Sequence, residues 1–184
     1  LKINSHNHFK LLETKNFHPL RFFIEPIVLT LNQIEKDYSF EKFSMIGLSG
    51  GGWTTIVISA IDDRISESYS VAGSFPIWLR SDSQDFNDYE QTIPEFYQIA
   101  NYEELYFLGA YGDNRSLFLF YNEFDSCCFS GQLYEKFPFG DSIKNKLAEF
   151  GKYNFDIIID HDQTEHIISD YTLGKITTQI KNNS

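Results

Sequence analysis

Residues 43–55 read Phe43-Ser44-Met45-Ile46-Gly47-Leu48-Ser49-Gly50-Gly51-Gly52-Trp53-Thr54-Thr55, one serine among four glycines between a β-type apolar run and a helix-like one. Two glycine-rich devices occupy such junctions: a loop that cradles phosphate and a turn that presents a nucleophile. Aligned as G-x-x-x-x-G-K-[ST], a phosphate loop would use Gly47, Gly52 and Thr54, but Trp53 stands where a lysine must reach the phosphates. The dinucleotide pattern G-x-G-x-x-G is absent as well. Gly47-Leu48-Ser49-Gly50-Gly51, by contrast, is G-x-S-x-G without repair. In that arrangement the serine sits in strained backbone on a sharp strand-to-helix turn. Glycines two before and two after it let strand and helix approach, and the N–H of Gly50 supplies half of an oxyanion hole. The competing reading is a glycine-rich βα turn that holds nothing.

The chain has 184 residues, one domain's worth, with 42% apolar and 17% aromatic residues including 18 Phe and 11 Tyr. That composition implies a packed core rather than disorder. The net charge of −11 argues against a nucleic-acid partner, whose phosphates it would repel. No apolar run approaches the roughly 18 residues a membrane span needs, so no membrane span is expected. Cys127 and Cys128 are adjacent, so they cannot staple distant segments and do not settle the redox compartment. They are expected to pack behind Asp125. The first residue is Leu1 rather than Met, and the reading expects a chain cut from something longer.

Residues 1–18 are polar and irregular, and residues 19–37 carry helical apolar spacing with Pro26 early in the run. Strands are expected at Phe43–Leu48, Ile65–Ala72, Leu117–Tyr121 and Phe155–Ile159. Helices are expected at Trp53–Ile61, at Gly140–Gly151 and from Ser169-Asp170 onward, where the pair forms an N-cap. The span from about 73 to 115, with Trp78, Tyr89, Tyr97 and Tyr106, reads as a cap-like or lid-like insertion of loop and short helix. Strands alternating with helices imply an α/β fold with a parallel sheet and crossover helices.

A serine nucleophile needs a base and a carboxylate to orient it, and open parallel sheets carry such groups in loops at the carboxyl ends of strands. Asp125 follows "LFLFY" in "NEFDSCCF", and His166 follows "FDIII" in "DHDQTEHIIS". The order Ser49, Asp125, His166 is that of a nucleophile-elbow hydrolase. Glu123 and Asp113 compete for the acid. His161 competes for the base, and with Asp160, Asp162 and Glu165 it could instead form a metal site. His6 and His8 are a further, weaker metal candidate.

On the residues "GLSGGGW", "NEFDSCCF" and "EHIIS", the chain from about Phe22 onward resembles the carboxy-terminal half of an α/β-hydrolase, in the dienelactone-hydrolase-like and acetyl-xylan-esterase-like branch. The resemblance implies Ser49 as nucleophile, Asp125 as orienting acid, His166 as general base and Gly50 as one oxyanion donor, with no cofactor and no metal. It implies a small-molecule ester, thioester or amide substrate. A non-catalytic binding module and a peptidase of the same fold are the alternatives. The resemblance also implies earlier strands and a second oxyanion donor upstream of Leu1. Without them Phe43–Leu48 would be a sheet edge open to pairing with another chain, and the segment alone would aggregate or turn over weakly.

Overall fold

The computed structural model describes residues 2–40, 42–81, 83–86, 88–152 and 154–183. Four parallel strands, β1 (Phe43–Leu48), β2 (Ile65–Val71), β3 (Ser116–Asn122) and β4 (Phe155–Asp160), pair in the order β1-β2-β3-β4. The long amphipathic helix α1 (Arg21–Asp37) precedes β1, and α2 (Gly50–Ile61) joins β1 to β2. A short turn of helix, α3 (Pro94–Tyr97), and α4 (Tyr102–Ala110) lie between β2 and β3. Helices α5 (Gly131–Lys136) and α6 (Gly140–Glu149) join β3 to β4, and α7 (Asp170–Asn183) follows the last strand. The fold is α/β, a parallel sheet with crossover helices, as the alternation of strands and helices implies.

Because strand order advances in one direction, right-handed crossovers place the connecting helices on a common face. There Trp53, Ile56, Val57, Leu105, Tyr106, Leu117, Leu119, Ile143 and Leu147 form the main core. Helix α7 covers the opposite face, where Ile176 packs with Tyr69, Val71 and Phe120. Strand β3 is buried on both faces, as its unbroken apolar run requires.

Strand β2 is also almost wholly buried although its sequence alternates. Ser68 and Ser70 have the parity that faces α2, and their small side chains let the helix lie close. Glu67, Tyr69 and Val71 have the other parity. The buried Glu67 carboxylate accepts hydrogen bonds from Ser44 Oγ at 2.9 Å and from Tyr69 Oη at 3.3 Å. At the sheet's edge among the described residues, β1 leaves Ser44 and Ile46 exposed.

Boundaries shift slightly from the expected ones. Helix α2 starts directly after Ser49, and residues 6–12, expected to be irregular, form a 3-10 helix. Among the described residues of 73–115 lie three 3-10 turns, α3 and α4. Helix α4 is the crossover that carries Tyr102, Leu105 and Tyr106 into the main core. Its Asn101 cap accepts from the Glu104 amide at 3.0 Å, while the Glu104 carboxylate accepts from the Asn101 amide at 2.8 Å, a capping box. Among the described residues no helix is long and apolar enough to cross a membrane.

Candidate active site

Ser49 is the hinge between β1 and α2, with φ 57° and ψ −124°, a conformation that costs a non-glycine residue strain. The Ser49 amide donates to Val71 O at 2.9 Å, and Ser49 O accepts from the Trp53 amide at 2.9 Å, so the turn is held from both sides. A Cβ on Gly47 would lie 2.1 Å from Gly51 O, so this position must be glycine for the turn to close. The second close approach is not where the motif puts it. A Cβ on Gly51 would meet nothing within 4 Å, whereas one on Gly52 would lie 2.9 Å from both Gly73 Cα and Val71 O. The helix therefore docks on the end of β2 through Gly52 and Gly73. As the first residue of α2, Gly50 has an N–H that lies ahead of the helix's own ladder.

Asp125 and His166 come together. The His166 Nδ1 lies 2.9 Å from Asp125 Oδ2 and 3.0 Å from Oδ1. The carboxylate side chain is fully buried. Burial would raise its pKa, but the bond from His166 and those from the Cys127 and Cys128 amides outweigh it and hold the carboxyl below its ordinary 3.8. An ionised carboxylate only accepts, so in the neutral ring Nδ1 carries the proton and Nε2 the lone pair. That Nε2 is buried and has no hydrogen-bond partner among the described residues; in particular the Ser49 hydroxyl makes no bond to it.

His161 makes a separate surface pair, with Nδ1 2.7 Å from Glu123 Oε2 and 3.6 Å from Glu135 Oε1. The Glu123 bond raises its pKa. The two residues that rivalled His166 and Asp125 in the sequence thus occupy each other. Asp113, the other rival acid, pairs with Lys152. His6 Nδ1 lies 2.6 Å from the buried Glu90 Oε1.

Asn122, which no sequence motif singles out, holds the loop that bears His166. Buried at the end of β3, its Nδ2 donates to Glu165 O at 2.9 Å and to Ile167 O at 3.0 Å, the carbonyls on either side of His166. Its place directly after the apolar run Leu117–Tyr121, three residues before Asp125, was the available signal. Ser169 Oγ caps α7 by accepting from the Thr172 amide at 3.1 Å, and it is tied in turn to Asp160. The loop bearing His166 is therefore pinned before and after the histidine. A cleft of about 640 Å³ lined by Arg115, Ser116, Asn154 and Phe155 opens at the amino ends of β3 and β4, the opposite end of the sheet from these groups.

The depressed Asp125 carboxyl links the site to folding. Its ionised form contributes stability in full above the ordinary value of 3.8, and that contribution is lost as pH falls through the lower folded value. In urea titrations the stability gap between wild type and Asp125→Asn should therefore shrink as pH is lowered from 5 toward 3. A gap that stays constant over that range would show that the pair does not hold the carboxylate ionised.

No family model matches the sequence, and no curated protein matches it. Among solved structures the chain is similar to Est1E from Butyrivibrio proteoclasticus with ferulic acid bound, at 13% sequence identity and a TM-score of 0.48. The match covers 84% of this chain and 64% of that one, so the chain spans less than two thirds of the length of the structure it matches.

Proposed function

We propose that the chain carries the catalytic side chains of a serine hydrolase that cleaves an ester, thioester or amide through an acyl-enzyme, with an ester as the primary substrate class. The observation that carries this reading is the buried Asp125–His166 pair, whose Nε2 has no partner among the described residues, at the carboxyl end of the sheet, the end at which Ser49 sits in a strained turn after β1. Ser49 Oγ attacks the substrate carbonyl while its proton passes to Nε2. The resulting imidazolium is stabilised by the Asp125 carboxylate against Nδ1–H, and the Gly50 N–H donates to the developing oxyanion. Collapse of the tetrahedral intermediate expels the leaving group, which takes the Nε2 proton. Water then repeats the sequence on the acyl-enzyme, with Nε2 again as base.

One observation favours a second reading, a non-catalytic hydrolase-fold binding module: the serine and imidazole are not hydrogen-bonded to each other. Catalytic hydrogen bonds commonly tighten only when substrate is bound, so the open pair is compatible with either reading. A fluorophosphonate probe separates them. The protein should be labelled at Ser49, and Ser49→Ala should abolish the label. Wild type that stays unlabelled under conditions that label a control esterase would establish the binding-module reading instead.

A further inference from the structure

The loop that holds Asp125 also holds Cys127 and Cys128, and the hydrolytic reading gives neither a task. Both are free thiols, Cys127 exposed and Cys128 half-buried, and their sulfurs stand 2.7 Å apart. Asp125 Oδ1 accepts from the Cys127 amide at 2.8 Å and from the Cys128 amide at 3.2 Å. The same carboxylate holds the His166 ring. Three donors are thereby gathered on one group: a ring nitrogen of His166 and the two sulfurs all lie within 4.8 Å of one another.

The chemistry of this set is specific. Two sulfurs and an imidazole suit zinc and similar soft ions, whereas the two other clusters among the described residues, His6–Asp88–Glu90 and Glu123–Glu135–His161, supply oxygens with a single nitrogen. Metal-bound histidines characteristically donate their remote N–H to a carboxylate, which fixes the tautomer and raises the basicity of the ligating nitrogen. His166 is already arranged so, with Nδ1 on Asp125 and Nε2 buried without a partner. A buried polar atom left unpaired is uncommon, and a bound ion is one of the arrangements that satisfies it.

We propose that Cys127, Cys128 and His166 form a binding site for a thiophilic divalent cation of the zinc type, with the fourth coordination position left to water. As two sulfur–metal bonds form, two thiol protons leave to solvent, and the Nε2 lone pair completes the protein's share of the coordination. Occupation also removes the lone pair that would accept the Ser49 proton. Only this last consequence, reversible inhibition by metal, rests on the hydrolase reading.

The site is tested by titrating cobalt(II) into the full chain kept under a non-chelating reductant. The expected result is a near-ultraviolet thiolate-to-cobalt charge-transfer band that saturates at one equivalent and is displaced by zinc. The double variant Cys127→Ser/Cys128→Ser should lose the band, and His166→Gln should bind cobalt at least about ten-fold more weakly. Absence of the band in wild type would overturn the proposal, as would cobalt affinity unchanged in His166→Gln. Zinc should further block fluorophosphonate labelling of wild type and a chelator should restore it. Protein that is never labelled even when metal-free bears on the hydrolase reading alone, because the cobalt band does not depend on Ser49.

Discussion

Replacing His166 by glutamine is expected to lower turnover of an activated ester by about 10³-fold or more and to remove the acid limb of the pH–rate profile. His161→Gln should remain within a few fold of wild type. The reason is geometric. Only one of the two histidines has a lone pair directed by a buried ionised carboxylate, because Asp125 takes the Nδ1–H of His166 at 2.9 Å. Glutamine preserves much of the shape but cannot cycle a proton near neutral pH, so substrate binding should survive while turnover does not. His161 is bonded to Glu123 at 2.7 Å on the surface, and replacing it removes an exposed ion pair worth little. Parallel kcat and KM measurements on the two variants decide the matter. Near-normal turnover in His166→Gln with collapse in His161→Gln would reverse the assignment.

Gly47→Ala should destabilise the fold by about 3 kcal/mol or more, whereas Gly51→Ala should be neutral or stabilising. A methyl at position 47 would stand 2.1 Å from Gly51 O and 2.3 Å from Gly51 C, and backbone atoms cannot rotate out of the way as a side chain can. The turn must open, which displaces Ser49 and the first amides of α2 together. A loss of that size corresponds to roughly 6–12 °C in melting temperature for a chain of this length. At position 51 a methyl meets nothing within 4 Å, and alanine has the higher helix propensity by up to about 1 kcal/mol. Thermal melts of the two variants beside wild type make the comparison. Melting of Gly47→Ala within a degree or two of wild type would refute the close approach at the elbow.

The strand-to-helix turn at Ser49 was legible in the amino-acid sequence because its causes are local. An apolar run ending at Leu48, a serine in a position that strains it and a helix starting at Gly50 are all consequences of neighbouring residues. The alternation of strands and helices was legible for the same reason, since β3 and β4 are short apolar runs set between polar turns. Helix α5 was not, because its six residues, Gly131–Lys136, are too few to display a helical period. Burial of β2 was not legible either. Its serines read as polar until α2 is laid over them and Gly52 meets Gly73.

Which histidine pairs with which acid is decided by tertiary structure. His161 and His166 share one acidic loop, as Glu123 and Asp125 share another, and spacing along the chain cannot match them. The parallel register sets Asn122 of β3 beside Asp160 of β4, and the Glu123 amide then bonds to Asp160 O at 2.9 Å. That alignment leaves the first acid beside the first histidine at the rim. The Asn122 side chain grips the carbonyls of Glu165 and Ile167 and turns His166 inward to Asp125. A hydrogen bond between loops some 40 residues apart in sequence depends on which strands lie side by side, and no local pattern encodes that pairing.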